Sequence, residues 1–191
     1  MPLRQAQPKP ATKLRALPDC LRRGLDLVFV GINPGIASAT RGHHYAGPGN
    51  HFWPLLYEAG LVPERLTCDD DARLPGYGIG LTNLVERASR GIADLSRAEM
   101  RAGAERLREK LRRYRPRVVC FNGKAIAEAF LERRCALGLQ PERWGSIPVY
   151  VMPSTSARAA SYQRADKLRF FRELKRLVDN ETSTGPARGQ R

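Results

Sequence analysis

Three short loops of this 191-residue chain join ligand-capable side chains to strand-ending residues. They are Asn33-Pro34-Gly35, Asn122-Gly123 and Pro153-Ser154. Each follows an apolar run, and in open α/β sheets ligands sit beyond the carboxyl ends of the strands. Several familiar chemistries fail at them. Gly123-Lys124 could close a phosphate-cradling loop, but Val118 stands where that loop needs its first Gly, and Ala125 replaces the metal-binding hydroxyl. Gly47-Pro48-Gly49-Asn50 precedes a helix but follows a loop, so it is no dinucleotide fingerprint. A G-x-S-x-G nucleophile elbow is absent. His43, His44 and His51 lie close in sequence, yet the segment between them is a Gly/Pro loop with no neighbouring carboxylate, so no metal site is expected. Cys20, Cys68, Cys120 and Cys135 lack zinc spacing. Cys120 sits inside the apolar run Val118, Val119, Cys120, Phe121, which argues against an iron–sulfur cluster and for free thiols.

The elements that must position these loops follow from periodicity. Residues 26–31 (DLVFVG), 117–121 and 149–152 read as buried strands, and 78–85 (GIGLTNLV) as a weaker one. Residues 36–50 carry Gly42, Gly47, Pro48 and Gly49 and predict a long ordered loop. Residues 52–60 predict a helix with Pro54 confined to its first turn and Gly60 at its end. The acidic stretch 67–73 reads as a surface loop. Ser96 and Glu99 form a capping box, and Met100, Ala104, Leu107, Leu111 and Tyr114 then share one helical face. That helix must end before Pro116. Further helices are expected over 124–132 and 163–178. Strands alternating with helices give an α/β chain with a parallel sheet covered on both faces. One domain is expected over 24–180, between a flexible basic arm (1–23) and a disordered tail (181–191).

Composition narrows the function. The chain has 33 Lys+Arg against 19 Asp+Glu, a formal charge of +14, with 42% hydrophobic residues. That is the composition of an ordinary globular protein. The apolar stretch from Leu27 meets Asn33 and Pro34 too soon to span a bilayer, and residues 1–10 lack the apolar region of a secretory signal. No membrane partner is expected. The compartment should be reducing: the cytoplasm, nucleoid-associated, of a bacterium, or a eukaryotic nucleus. The charge favours a polyanionic partner, although an Arg-rich proteome would also make any chain basic.

Two blocks are more specific than the charge. Gly31-Ile32-Asn33-Pro34-Gly35, with Gly42-His43-His44-Tyr45 and Gly47-Pro48-Gly49-Asn50-His51-Phe52-Trp53 after it, resembles the first motif of the mismatch-specific uracil/thymine DNA glycosylases. Met152-Pro153-Ser154-Thr155-Ser156-Ala157-Arg158 resembles their second motif. Thr82-Asn83-Leu84-Val85-Glu86-Arg87, Asp94-Leu95-Ser96 and Phe121-Asn122-Gly123-Lys124 are similar to further segments, so the resemblance spans about 26–178. The His-His-Tyr run is closer to the thymine-DNA-glycosylase branch. The resemblance implies a three-layer α/β/α sandwich around a short, mostly parallel sheet. It implies a monomeric, cofactor-free, monofunctional glycosylase of base excision repair. Its substrate would be double-stranded DNA with G:U or G:T mispairs, from which it flips and excises uracil, with thymine and other 5-modified pyrimidines as further substrates. A catalytically silent nucleic-acid-binding module on the same fold is the rival reading.

The resemblance also assigns roles. Asn33 matches the catalytic Asn that holds the attacking water; an amide orients water but cannot take its proton at neutral pH. Backbone amides around Ile32 and His44 would donate to the uracil carbonyls. Tyr45 would stack on the flipped base, His44 would border it, Ser38 would sit near its 5-position and Asn83 at its edge. Asn50 is either a pocket group or the cap of the helix at Phe52. Arg158 would fill the space the base vacates, and Ser154 and Ser156 would bind the flanking phosphates. Asp94 has two readings: a second catalytic contributor, or favourable charge near a helix N-terminus.

Overall fold

Strand alternation is the key to the architecture. In the computed structural model, which describes residues 14, 16–159 and 161–184, five strands form one sheet. They are β1 (Leu27–Gly31), β2 (Ile79–Asn83), β3 (Val118–Asn122), β4 (Gly138–Leu139) and β5 (Val149–Met152), in the order β2-β1-β3-β5-β4. All pairings are parallel except β4 with β5. Successive side chains point to opposite faces. Leu27, Phe29, Cys120, Tyr150 and Met152 therefore enter one core, and Val28, Val30, Phe121, Val149 and Val151 the other. The first core is covered by α2 (Phe52–Glu58) and α5 (Arg164–Thr184), through Phe52, Leu55, Phe171 and Leu174. The second is covered by α3 (Arg97–Tyr114) and α4 (Lys124–Leu131), through Ala104, Leu107, Leu111 and Phe130. The result is the expected three-layer sandwich.

The predicted capping box is present: the Ser96 hydroxyl accepts from the Glu99 amide, and the Glu99 carboxylate accepts from the Ser96 amide at 2.9 Å. Four boundaries differ from the sequence reading. Residues 36–50 are not all loop, because Ile36–Arg41 forms a short helix, α1, closed by the left-handed Gly42. The acidic stretch is not a surface loop; Cys68–Tyr77 is a 3-10 helix that buries Asp71 and Leu74 and starts with a Thr67–Asp70 capping box. The basic arm ends earlier than residue 23. Leu17 is buried, and Cys20 exchanges two main-chain hydrogen bonds with Leu81, at 2.9 and 3.1 Å, adding a bridge to the β2 edge. The tail expected from 181 does not start there: α5 continues to Thr184, held by the Glu181–Arg143 ion pair at 2.7 Å. Residues 1–13, 15 and 185–191, the remainder of the expected arm and tail, lie outside the described residues.

Helix α3 meets the end of β2 without clearance. A Cβ on Gly103 would lie 2.2 Å from the Leu84 carbonyl oxygen, a main-chain atom next to Asn83 that cannot step aside. Helix propensity favours Gly→Ala by about 1 kcal/mol, whereas overpacking costs about 1–3 kcal/mol. Gly103→Ala is therefore expected to lower the urea midpoint; a raised midpoint would show that the helix moves freely.

Candidate active site

The loops singled out by sequence do converge. A cavity of about 160 Å³ opens at the carboxyl ends of β1, β2, β3 and β5. It lies where the strand order reverses, with β2 on one side of β1 and β3 on the other. Sites for drug-sized ligands start near ~300 Å³, so this one suits a single ring. Ile32, Asn33, Ser38, His44, Tyr45 and Asn50 line it, as do Asn83, Ser154, Ser156 and Arg158.

Asn33 is oriented completely. Its Nδ2 donates to the Arg87 carbonyl at 2.9 Å and to Ser89 Oγ at 2.8 Å. Ser89 Oγ in turn donates to the Gly91 carbonyl at 2.8 Å. Both amide hydrogens are thus committed, and Oδ1, an acceptor only, remains for the cavity. The Arg87 main chain is steadied by its own side chain. The guanidinium grips Glu99 at 2.6 and 3.2 Å and the Asp94 carbonyl at 2.7 Å. Arg87 first, then the Ser96 amide, draws the Glu99 carboxyl down to about 2. The helix cap read from sequence therefore holds the residue that holds Asn33.

His44 is clamped at three points. Its amide donates to Asp71 Oδ2 at 2.9 Å, its carbonyl accepts from Trp53 Nε1 at 3.2 Å, and its Nε2 meets the Pro18 carbonyl at 2.9 Å. A carbonyl can only accept, so Nε2 carries a proton. Burial lowers the His44 pKa, against the Pro18 carbonyl and the charges of Asp71 and Asp19, which raise it. The amide committed to Asp71 corrects one expectation: the His44 N–H is not available to a base carbonyl. Asp71 also meets His43 Nδ1 at 3.2 Å, so a carboxylate does join the histidines, as a fastener of this loop. The clamp sets Tyr45 in the left-handed region, φ 55°. Its ring stacks on Phe52 at 3.9 Å and 17°, which leaves one face for an incoming ring. Its hydroxyl is buried beside the Asn122 side chain without a well-formed hydrogen bond, and burial pushes its pKa well up, with Asn122 acting the other way.

The remaining pocket groups serve the backbone too. Ser38 Oγ accepts from the Ala46 amide at 3.0 Å. Asn50 lines the cavity, and its Oδ1 accepts from the Phe52 amide at 3.0 Å; the cap position of that helix belongs to His51, so Asn50 tightens the turn before the helix and is not its cap. Asn83 depends on Gly31, where a Cβ would sit 2.5 Å from Asn83 Oδ1. The second motif is fastened by Asn122: its Nδ2 donates to Thr155 Oγ1 and its Oδ1 accepts from the Thr155 amide, each at 2.9 Å. Ser154 Oγ accepts from Ser156 N, and Ser156 Oγ from Arg158 N, both at 3.3 Å. Arg158 itself is exposed.

Asp94 is not brought to the site. It is exposed, does not line the cavity, and spends its carboxylate on the Arg90 amide at 2.9 Å, closing the turn beside Gly91. Sequence reasoning missed Leu17, Ser89 and Asp71. Leu17 walls the cavity. Its segment is tied down by Asp19, which accepts from Thr82 Oγ1 at 2.7 Å and pairs with Lys110 at 2.7 Å. Ser89 had a signal, its place just beyond the Asn83–Arg87 motif; Asp71 and Leu17 had none, since one lay in an acidic stretch and the other in a basic one.

Comparison with known proteins agrees with this geometry. Residues 18–177 match the family model of the uracil DNA glycosylase superfamily. A G/U mismatch-specific uracil DNA glycosylase of Schizosaccharomyces pombe is 39% identical over 165 residues, which cover 81% of this chain. The chain spans 51% of that relative's length. The solution NMR structure of a candidate uracil DNA glycosylase from Methanosarcina acetivorans superposes with a TM-score of 0.53 at 21% identity, covering 85% of this chain and 98% of that one. This likeness concerns the fold.

The His44 clamp has a consequence for stability. A buried histidine with a lowered pKa stays neutral when the unfolded chain, near the ordinary 6.5, takes up a proton. The unfolded state then binds more protons, so stability should fall as pH drops below about 6.5. Thermal melts at about pH 7.5 and about pH 5.5 should show a smaller difference for His44→Gln than for the parent; an equal difference would exclude His44 as a source. His51, lowered by burial and then by the Lys167 and Arg164 charges, contributes in the same direction.

Proposed function

This chain belongs to the uracil DNA glycosylase superfamily, and from that premise we propose that it excises uracil mispaired with guanine in double-stranded DNA, leaving an abasic site for base excision repair. The observation that carries the reading is the Asn33 amide, whose two hydrogens are both committed within the protein. Its Oδ1 can then accept a hydrogen bond from one water and aim that water's lone pair at C1′ of a flipped nucleotide. No carboxylate lines the cavity among the described residues, so nothing there takes the water's proton early. Heterolysis of the C1′–N1 bond comes first: the electron pair leaves with the base, and the sugar becomes cationic. Water then adds to C1′ and loses its proton to solvent. The departing anion meets a lining with no carboxylate among the described residues: neutral His44, the protonated Tyr45 hydroxyl, and Arg90 and Arg158 as its cations.

The surrounding surface suits a duplex. An open groove beside the cavity carries Arg90, Lys124, Ser154, Ser156 and Arg158. Arg158 is the side chain we assign to the space left by the flipped base, and the two serines to flanking phosphates. Of the exposed large apolar side chains among the described residues, Ile92 and Tyr162 line this same groove, so its surface is apolar as well as basic; we read the chain as acting as a monomer. Thymine and other 5-modified pyrimidines are further substrates in this reading. One methyl is worth about 1–3 kcal/mol in a pocket, so the preference is graded.

The test is alkali treatment of end-labelled U:G duplex after incubation with protein and EDTA. Breaks that appear only after alkali are expected. Binding without breaks would instead identify a silent module, and breaks that require added metal would overturn the cofactor-free mechanism. Asn33→Ala should slow single-turnover excision on the order of 10²-fold, the usual size of a lost positioning group. Asp94→Asn should keep most of the rate; equal losses for the two variants would restore Asp94 to the chemistry. Running U:G, T:G, U:A and single-stranded uracil in parallel ranks the substrates.

A further inference from the structure

Beneath the loop that carries Arg158 lies a lysine that the chemistry above does not use. Lys167, in the first turn of α5, is 2% exposed. Lysine is almost never fully buried unless paired, yet burial alone, with no carboxylate counter-charge, lowers this side chain's pKa. Its ammonium is spent on main-chain carbonyls instead, those of Ala159 at 3.2 Å and Ser156 at 3.4 Å. These two residues are the ends of one turn. The Ala159 amide donates to the Ser156 carbonyl at 3.1 Å, and Arg158 is the turn's third residue. The Arg158 amide is held inside it by Ser156 Oγ at 3.3 Å.

An apolar side chain at 167 would suit the neighbouring core, where Phe170, Phe171 and Leu174 follow on the same helix. Burying an ammonium there is costly unless its donors are used. The groups that use them belong to a single exposed turn. We propose that Lys167 is a positioning residue for Arg158, clamping both ends of the Ser156–Ala159 turn so that the arginine is held ready for the duplex before binding. This rests on the reading of Arg158 as the residue that fills the vacated base position. The preceding part of the loop is fixed independently: Thr155 is bound twice by Asn122, and its carbonyl accepts from the His51 amide at 3.0 Å. Lys167 supplies the fastening on the far side of Arg158, at the Ala159 carbonyl. A turn ordered in advance avoids the entropy of ordering it on contact with DNA.

The experiment is a double-mutant cycle in single-turnover excision from U:G duplex, with Arg158→Ala, Lys167→Met and the two combined. Each single variant is expected to slow excision on the order of tenfold. The double variant should be no slower than Arg158→Ala alone, because a loosened turn leaves the arginine nothing to do. A Lys167→Met chain at the parent rate, an Arg158→Ala chain at the parent rate, or an Arg158→Ala loss of equal size in both backgrounds would overturn the proposal. Should Lys167→Met fail to give a cooperative thermal melt, Lys167→Gln takes its place. Its amide ends one bond short of the ammonium position, so the same loss of Arg158 dependence is expected. A parent protein that excises nothing would overturn the glycosylase reading instead.

Discussion

The site depends on one amide whose hydrogens are both used. An asparagine side chain presents an oxygen and a nitrogen of nearly equal size, and a half-turn about its last bond exchanges an acceptor for a donor. In Asn33 that exchange would set Oδ1 against the Arg87 carbonyl, losing the hydrogen bond at 2.9 Å, and Ser89 Oγ could serve Oδ1 only by giving up the Gly91 carbonyl. The lining of the cavity follows from that choice. Ser89 must be small and hydroxylic, to accept from Asn33 while donating to Gly91. Arg87 must be immobile, which its bidentate contact with the capped end of α3 provides. A helix cap worth about 1 kcal/mol to the fold thus also sets the direction of a functional oxygen.

The same economy appears around the base pocket. Ser38 and Asn50 each line the cavity while holding a main-chain amide. Asp71 fixes the His44 amide so that Tyr45 keeps a backbone conformation unusual for a side chain of its size. The wall is closed by Leu17, and the segment carrying it is bound to the β2 edge through Cys20 and to α3 through Asp19 and Lys110.

Much of this was legible in the sequence, for a definable reason. Strands β1, β3 and β5 are buried on both faces, so they read as continuous apolar runs, and Asn33, Asn122 and Pro153 are conspicuous where those runs stop. Capping and helical faces are local, and Ser96, Glu99, Leu107 and Leu111 announced α3 correctly. What escaped was long-range. Asp71 is one acid among three neighbours until the fold sets it against His44, 27 positions away. Leu17 lay in a segment whose composition spoke of solvent, and only pairing with β2 buries it. Asp94, open to two readings in the sequence, shows the opposite case, since its place in a motif gives no sign that its carboxylate closes a turn.

Charge takes on a narrower meaning in this light. Several of the chain's 33 Lys and Arg residues are engaged in structure. Arg108 bridges Glu105, Glu132 and the Phe130 carbonyl, and Arg112 lies over Trp144 at 5.6 Å. These cations hold α3 against its neighbours. The cavity shows the complementary feature: its titratable lining is a neutral buried histidine, a phenol kept protonated by burial, and two arginines. A general base placed there would help to activate water, but as an anion it would also raise the energy of a departing base anion in a low-dielectric site. For a bond that breaks largely before water adds, the second effect acts on the harder step. In the proposed reaction, a lining with an oriented oxygen and no carboxylate among the described residues would favour departure of the base over activation of the nucleophile, and the nearby acids Asp71 and Asp94 are spent on the main-chain amides of His44 and Arg90.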